Sequence, residues 1–366
     1  MQGRDRGVEL QYKADFGEAL RRLEAWWDCG IIDRPPVTIH VRPERRAELP
    51  EKSHPTLRDR WFDFEHGLDR FEASLDGAVF FAETFPKFDP GLGPEQCATV
   101  FGCELEFSET TSWSVPIAGS CREILDIRPN LDNVYWNNLR ASTELSIDRG
   151  RGRWITALPD LHTNGDLVAA LRDPQDLCLE LADDIDAVRA ACDYVTDVSY
   201  ELMYEDMWRP VEAAGQPCTT WTPALHAGPM YPVSCDFICM ISPRMFQETV
   251  LPSIRTELRY LERSVFHLDG PGALRHLDVL LAQPELNAVQ WVYGAGSGPA
   301  ARWVQVYRRI QAAGKAVQLV CDDLADARAV AAHLRPEGVW FCPGGVYGRA
   351  EAEAFIAWAA RWAAQT

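Results

Sequence analysis

The chain has 366 residues, of which 47% are hydrophobic and 25% charged, a composition typical of a globular protein that excludes a disordered or fibrous one. Its 36 Lys and Arg against 54 Asp and Glu give a formal net charge of −18, which disfavours nucleic acid and anionic membranes as partners. Because the first residues are charged and no run of about 18 apolar residues follows, we expect a cytoplasmic protein. Eleven cysteines without a CxxC pair indicate reduced thiols.

The first two thirds of the chain have an irregular pattern of elements. β-Branched and aromatic runs predict strands, and period-2 alternation predicts a hairpin. A Ser-Pro pair is typical of a helix start. The predicted elements are, in chain order, strands at 37–41 and 78–83, a hairpin at 104–117, a strand at 153–157, two helices within 174–214, a strand at 217–221 and a helix that begins at Ser242 or Pro243.

The last hundred residues alternate regularly between strand and helix patterns. Predicted strands at 264–269, 288–293, 316–321 and 338–343 are each followed by helical apolar spacing, at 271–282, 299–313, 324–334 and 349–364. Eight strands alternating with helices predict a single (β/α)8 TIM barrel over 1–366, with an inserted β-hairpin and an N-terminal helical extension. A doubly wound open sheet is the alternative, although no Gly-rich dinucleotide fingerprint follows any strand.

Candidate metal ligands follow the late strands. In a barrel the carboxyl ends of the strands form one rim, and active sites collect there. His267 and Asp269 are two residues apart, so they lie on one side of their strand. With Cys342 they predict a three-ligand zinc site with an open fourth position, which would hold a substrate thiol as thiolate. The alternative is that His267 and Cys342 are ordinary core residues.

Asp160 and His162 lie in the loop after the predicted third strand, in the sequence DLHTNG (160–165). Two fixed residues and a Gly match the DxHxxG pattern in which a His ligates cobalamin. A loop that contacts substrate and a purely structural loop are the other interpretations. We therefore predict that Asp160 and His162 contact substrate at the barrel mouth.

Aromatic and titratable residues also lie at and after the end of the predicted strand 217–221. Trp221 and Tyr231 would form the walls of a small-molecule pocket in which His226 and Asp236 exchange protons. Tyr293, after the sixth strand, would join them beside Gly residues that permit close approach to a ligand. A Pro/Gly-rich loop packed by its own aromatic residues is the alternative.

Six segments carry a further signal: RPPV (34–37), LGPEQCATVFG (92–102), 158–184, 234–254, 266–281 and FCPGGVYG (341–348). Together they resemble the uroporphyrinogen decarboxylase superfamily, including its cobamide methyltransferase branch. The resemblance implies a (β/α)8 barrel, and in the methyltransferase branch a zinc held by a His-x-Cys pair and a later Cys, which activates a thiol such as coenzyme M. The matching positions are His267, Asp269 and Cys342, with Asp269 in place of a Cys.

The decarboxylase branch of the same superfamily provides a further candidate. That branch has an Asp after the second strand, where this chain has Glu83. We expect a methyltransferase that moves a methyl group between a corrinoid on a partner protein and a small molecule. A metal-free lyase that uses Glu83, His162 and Asp236, and a barrel that only binds a ligand, remain alternatives. Homodimer formation is left open.

Overall fold

Parallel strands form the largest sheet of the computed structural model, which describes residues 8–365. The strands in this range are β1 (Thr38–Val41), β2 (Phe80–Ala82), β3 (Lys87–Phe88), β4 (Leu105–Phe107), β5 (Ser112–Ser114), β6 (Ile155–Thr156), β7 (Met230–Ser234), β8 (Arg263–Asp269), β9 (Ala288–Val292), β10 (Ala316–Cys321), β11 (Val339–Pro343) and β12 (Val346–Tyr347).

Helices cover the remaining regular parts of residues 8–365. The α-helices are α1 (Phe16–Trp27), α2 (Leu57–Phe62), α3 (Phe64–Ser74), α4 (Cys121–Asp126), α5 (Val134–Arg149), α6 (Asn164–Arg172), α7 (Pro174–Asp183), α8 (Ile185–Val198), α9 (Glu205–Ala213), α10 (Pro243–Tyr260), α11 (Gly270–Ala273), α12 (Leu277–Leu281), α13 (Val304–Ala312), α14 (Leu324–Ala331) and α15 (Arg349–Ala364). None of them is long and apolar enough to cross a membrane.

The five-stranded sheet has the order β11-β10-β9-β8-β7, and all its pairs are parallel. The fold is therefore mixed α/β. We call the end where these strands begin the amino edge (Met230, Arg263, Ala288, Ala316, Val339) and the end where they finish the carboxyl edge (Ser234, Asp269, Val292, Cys321, Pro343). The strands are buried on both faces, as their continuous apolar runs predict.

Most predictions for the second half are confirmed. The four late strands are present, and so are the helices after β9, β10 and β11. The predicted helix 271–282 is instead broken into α11, a 3-10 turn and α12. Ser242 caps α10 through its side chain, with Pro243 as the first helical residue.

The predicted strand 217–221 is wrong. Within this stretch Cys218 forms an isolated antiparallel bridge with His226, and the strand beside β8 is β7. Pro232 made the β7 sequence, MYPVS, a poor strand candidate because proline cannot donate to a ladder. Since β7 is the edge strand of its sheet, the missing donor is tolerated there.

The predicted strand 78–83 also differs from a parallel barrel strand. β2 pairs antiparallel with β1, and the chain then turns, with Ala82 at φ 53° and the Thr84 amide donating to the Phe81 carbonyl. The parallel neighbour of β6 is β3. β1 is connected to the five-stranded sheet by a parallel bridge between Val37 and Phe341.

The insertions of the first half are partly as expected. β4 and β5 form the predicted antiparallel hairpin. The region predicted as two helices contains α7, α8 and α9, with a π-helical turn at Ser199–Tyr204 between the last two. Such turns widen a helix locally and change the direction of its side chains.

Candidate functional site

Three side chains at the carboxyl edge form a cluster with the composition of a metal site. Ligand atoms of Asp236, His267 and Asp269 all lie within 4.8 Å of one another. His267 and Asp269 project from β8 at alternate positions, as the sequence predicts. One imidazole and two carboxylates suit zinc and other borderline divalent ions. The donor set therefore fits the predicted ion, although with Asp236 as its third member.

His267 is held by side chains on both sides. Its Nδ1 donates to the side-chain oxygen of Gln290, its neighbour in the β8–β9 register. This bond leaves Nε2 as the acceptor nitrogen, which is how second-sphere groups orient metal-binding histidines. The Trp221 ring lies edge-on to the imidazole, with 5.1 Å between centroids. His267 is thus oriented before any ion binds.

Asp236 is positioned by a second carboxylate, which sequence reasoning missed. Asp166 accepts hydrogen bonds from the backbone amides of Asp236 and Phe237, both at 2.9 Å, and so caps the 3-10 turn that begins at Asp236. Gly165 makes this approach feasible, because a Cβ there would lie 3.1 Å from the Cys235 sulfur. The DLHTNGD segment therefore packs directly onto the end of β7.

The two acidic members of the cluster are held in unfavourable surroundings for negative charge. Burial and the neighbouring Asp166 raise the pKa of Asp236, although His267 and His162 oppose the shift. Burial and Asp236 likewise raise the pKa of Asp269, with His267 again opposing. A cation held between Asp236 and Asp269 would oppose both pKa shifts.

His162 and Asp160 lie beside the cluster, where the sequence predicted a substrate-contacting loop. His162 Nε2 is 3.5 Å from an Asp160 carboxylate oxygen. Burial disfavours the imidazolium, but Asp160, Asp166 and Asp236 outweigh it and raise the pKa of His162. Burial also raises the pKa of Asp160. A cavity of about 250 Å³, which we call the acidic cavity, is lined by Glu95, His162, Asp166, Asp236 and the apolar residues Ala169, Pro174, Phe237 and Met240.

A fully buried glutamate supports this loop from below. Glu257 accepts hydrogen bonds from Thr163 Oγ1 (2.8 Å), Asn164 Nδ2 (2.7 Å) and the hydroxyl of Tyr200 (3.2 Å), which lies in the π-helical turn. Asn164 has φ 46° and also donates to the carbonyl of Ser234, the last residue of β7. Glu257 occupies the apolar stripe of α10, and a charged residue in such a stripe was the available sequence signal.

Cys342 lies outside the metal cluster. β9 and β10 separate its strand from β8, and its sulfur accepts a 3.7 Å hydrogen bond from Gln318. Burial raises the pKa of the thiol to about 12, so it stays protonated at neutral pH. The structure brings His267 and Asp269 together with Asp236 rather than with the predicted Cys342, because β7 is the strand adjacent to β8.

Two predicted catalytic residues lie away from the cluster. Glu83 is fully buried and accepts hydrogen bonds from Arg34 (2.7 and 2.9 Å) and the Val37 amide (2.6 Å). The antiparallel direction of β2 brings Glu83 to the residues that precede β1. His226 lies at the amino edge, with Nδ1 2.9 Å from Glu24 and Nε2 3.2 Å from Glu262. It therefore cannot share a pocket with Asp236, which follows the other end of β7.

The three predicted aromatic residues have different surroundings. The Tyr231 hydroxyl accepts from the Leu161 amide and donates to the Pro159 carbonyl, so this buried ring fixes the DLHTNG loop rather than forming a pocket wall. The Tyr293 hydroxyl donates to Asp322, and burial together with that carboxylate raises its pKa. Trp221, in contrast, contacts the cluster through His267.

Comparisons of the sequence with protein-family models and with curated proteins find no match.

Proposed function

We propose that the protein is a metal-dependent methyltransferase with a (β/α)8 fold, which moves a methyl group between a corrinoid on a partner protein and a small molecule. The observation that carries the proposal is the convergence of Asp236, His267 and Asp269 within 4.8 Å at the carboxyl edge. The reaction class and the corrinoid come from the segment resemblance. The parallel bridge from β1 to β11 supports closure of the sheet into a barrel.

Each residue of the site has a role in this proposal. Asp236, His267 and Asp269 would hold zinc, which when bound supplies Lewis-acid activation of a substrate heteroatom. Gln290 keeps His267 Nε2 free, and Asp166 fixes Asp236. His162 lies 3.5 Å from Asp160 and would take the proton that an acceptor hydroxyl releases when its oxygen is methylated.

The donor set also favours a type of acceptor. Two carboxylates make a harder site than the thiolate-rich site that the resemblance implies, and harder sites favour oxygen donors. Oxygen-bearing small molecules are therefore favoured over thiols. Cys342 lies outside the cluster and adds no thiolate to this donor set.

Metal analysis tests the proposal first. Protein purified in the presence of zinc should retain about one ion per chain after dialysis. His267→Gln and Asp269→Asn should lose it with the fold intact by circular dichroism. Asp278→Asn, which changes an exposed carboxylate on α12, is the matched control and should retain the metal. A correctly folded wild-type protein that binds no divalent ion would refute the metal site.

Methyl transfer is tested separately. Methylcobalamin incubated with zinc-loaded protein and a panel of phenols, alcohols and thiols should lose its methyl–cobalt absorption with at least one acceptor, and His267→Gln should abolish the change. Metal binding without any turnover across the panel would favour the ligand-binding alternative.

A metal-free lyase is the second candidate, favoured by the raised pKa values of His162 and Asp236. Its third predicted group, Glu83, is occupied by Arg34 and is not available. Activity that survives a strong chelator would support this candidate against the metal-dependent one.

A further inference from the structure

A second cavity near the cluster shares no lining residue with the acidic cavity. It has a volume of about 540 Å³, within the range of small-molecule sites. Trp221 lines this cavity and also packs edge-on against His267, so one indole separates the cavity from the imidazole of the cluster. We call it the tryptophan cavity.

The lining of the tryptophan cavity is mainly apolar. Aromatic rings come from α3, from β2 and the turn after it, and from the segment after Cys218. The apolar residues that line it are Val41, Pro43, Phe71, Leu75, Ala78, Val79, Phe80, Phe85, Trp221 and Pro223. Flat and aliphatic surfaces of this kind bind an apolar body by removing it from water.

The lining contains His40 and, as its one lysine or arginine, Lys87. The Lys87 ammonium donates to the Thr220 carbonyl at 2.7 Å and pairs with Asp89. A lysine ammonium has three donors, so one remains for a ligand. The Lys87 side chain is only 12% exposed, so few water molecules compete for that donor. Burial lowers the pKa of Lys87, which an anionic ligand would counteract.

The two cavities differ in the sign of the charge they favour. The acidic cavity is lined by Glu95, Asp166 and Asp236, whereas the tryptophan cavity offers Lys87 among apolar groups. An anionic group is therefore repelled in the acidic cavity, whereas in the tryptophan cavity it would share the Lys87 ammonium with Asp89. This asymmetry would orient a molecule that carries an acid at one end.

We propose that the tryptophan cavity binds a small apolar carboxylate, with its hydrocarbon body against Trp221, Phe71 and Phe80 and its acid group on Lys87. This inference rests on the proposed function, because it supplies the substrate class of the same site. It predicts that the end of the molecule opposite the acid faces the indole and the metal cluster behind it.

Two probes of equal shape and opposite charge test the inference. Isothermal titration calorimetry with 2-naphthoate and with 2-naphthylmethylamine would use the full chain, once zinc-loaded and once treated with chelator. We expect 2-naphthoate to bind at least about tenfold more tightly than the amine, as one charge-assisted hydrogen bond allows. Lys87→Met should remove that difference, and circular dichroism should check its fold because Asp89 loses its partner.

Lys315→Met is the matched control. Lys315 is also partly buried and donates to two backbone carbonyls, of Gln283 and Pro284, but it lies near the amino edge. Its replacement should leave 2-naphthoate affinity unchanged. Trp221→Leu should weaken both probes about equally, because it removes apolar contact without changing charge.

The outcomes separate this inference from the metal proposal. Charge-selective, Lys87-dependent binding in the chelated protein supports the cavity assignment even if no metal is retained. Three results would overturn the cavity assignment, whatever the metal content. They are equal binding of the two probes, no binding of either at about 10 mM, and selectivity that persists in Lys87→Met.

Discussion

The two ends of the parallel sheet use the same residue types in opposite ways. At the amino edge His226 has a carboxylate on each ring nitrogen, Glu24 at 2.9 Å and Glu262 at 3.2 Å. At the carboxyl edge His267 also has two carboxylates close by, Asp236 and Asp269. There, however, the pKa values of both acids are raised, and Gln290 occupies one imidazole nitrogen.

The difference distinguishes charges that stabilise the fold from charges that are available to a ligand. α1 supplies Glu24 to His226 and Arg22 to the Glu83–Arg34 pair, so charges on this side are matched by the protein itself. At the carboxyl edge the acids outnumber the cations within reach. Uncompensated groups of this kind are typical of functional sites, where stability is given up for binding.

Glu83 offers the strongest test of the inference that charges near α1 are paired within the protein itself. Replacing it by Gln leaves the Arg34 guanidinium buried without its partner, and breaking a buried pair in this way costs about 3–5 kcal/mol. Urea denaturation of Glu83→Gln should show that loss in the free energy of unfolding, with unchanged zinc content in the folded protein.

An exposed pair serves as the control for Glu83. Asp76→Asn breaks the surface contact with Arg45 and should cost less than about 1 kcal/mol. A Glu83→Gln protein of wild-type stability that lacks activity would contradict the structural role and restore the catalytic one that the sequence predicts.

Glu257, which supports the DLHTNG loop beneath the carboxyl edge, provides a second test. Burial raises its pKa from 4.5 to about 7. Since the folded pKa is above the unfolded value, the stabilisation by the protonated acid is fully present below about pH 4.5 and is lost as the pH rises through about 7. Relative to Glu257→Gln, the wild-type free energy of unfolding should therefore fall by roughly 3 kcal/mol over this interval.

Urea denaturation of both proteins from pH 4.5 to pH 8 measures this difference. Glu257→Gln retains the side-chain oxygen that accepts from Thr163 and Asn164, so the DLHTNG loop should stay in place. Parallel stability curves for the two proteins would show that Glu257 does not titrate in this interval.

Asp269→Asn should change the free energy of unfolding least of the three variants, and it should raise this free energy rather than lower it. In chelated protein Asp269→Asn should raise the free energy of unfolding at neutral pH by up to about 1 kcal/mol, because partial exposure screens its repulsion from Asp236. The folded pKa lies above the unfolded 3.8, so the gain should be absent below that pH and appear as the pH rises through the raised value.

Zinc should reverse the order of stability of the wild type and Asp269→Asn. The ion binds the native wild type and stabilises it by mass action, whereas Asp269→Asn lacks one of the ligands. Thermal melting with and without zinc measures both effects. A variant that is less stable than wild type in chelator would indicate that Asp269 is already compensated by the protein.

Local patterns predicted the parts of the site that lie on a single element. The β8 run and its alternation place His267 and Asp269 on one side of a strand, and the Ser-Pro pair fixes the start of α10. Pro232 made β7 hard to predict, because the cost of the missing proline donor depends on whether the strand is central or at an edge of its sheet. No local pattern carries that information.

The sequence by itself determined the mixed α/β class, the four late strands, the 104–117 hairpin and the His267–Asp269 pair, since each depends on periodicities of two or 3.6 residues. Only the tertiary structure decided that Asp236 rather than Cys342 joins that pair, that Glu83 faces Arg34, and that His226 lies at the amino edge. These contacts depend on which strands are neighbours and in which direction they run, and long-range pairing of this kind has no signature in the spacing of residues along the chain.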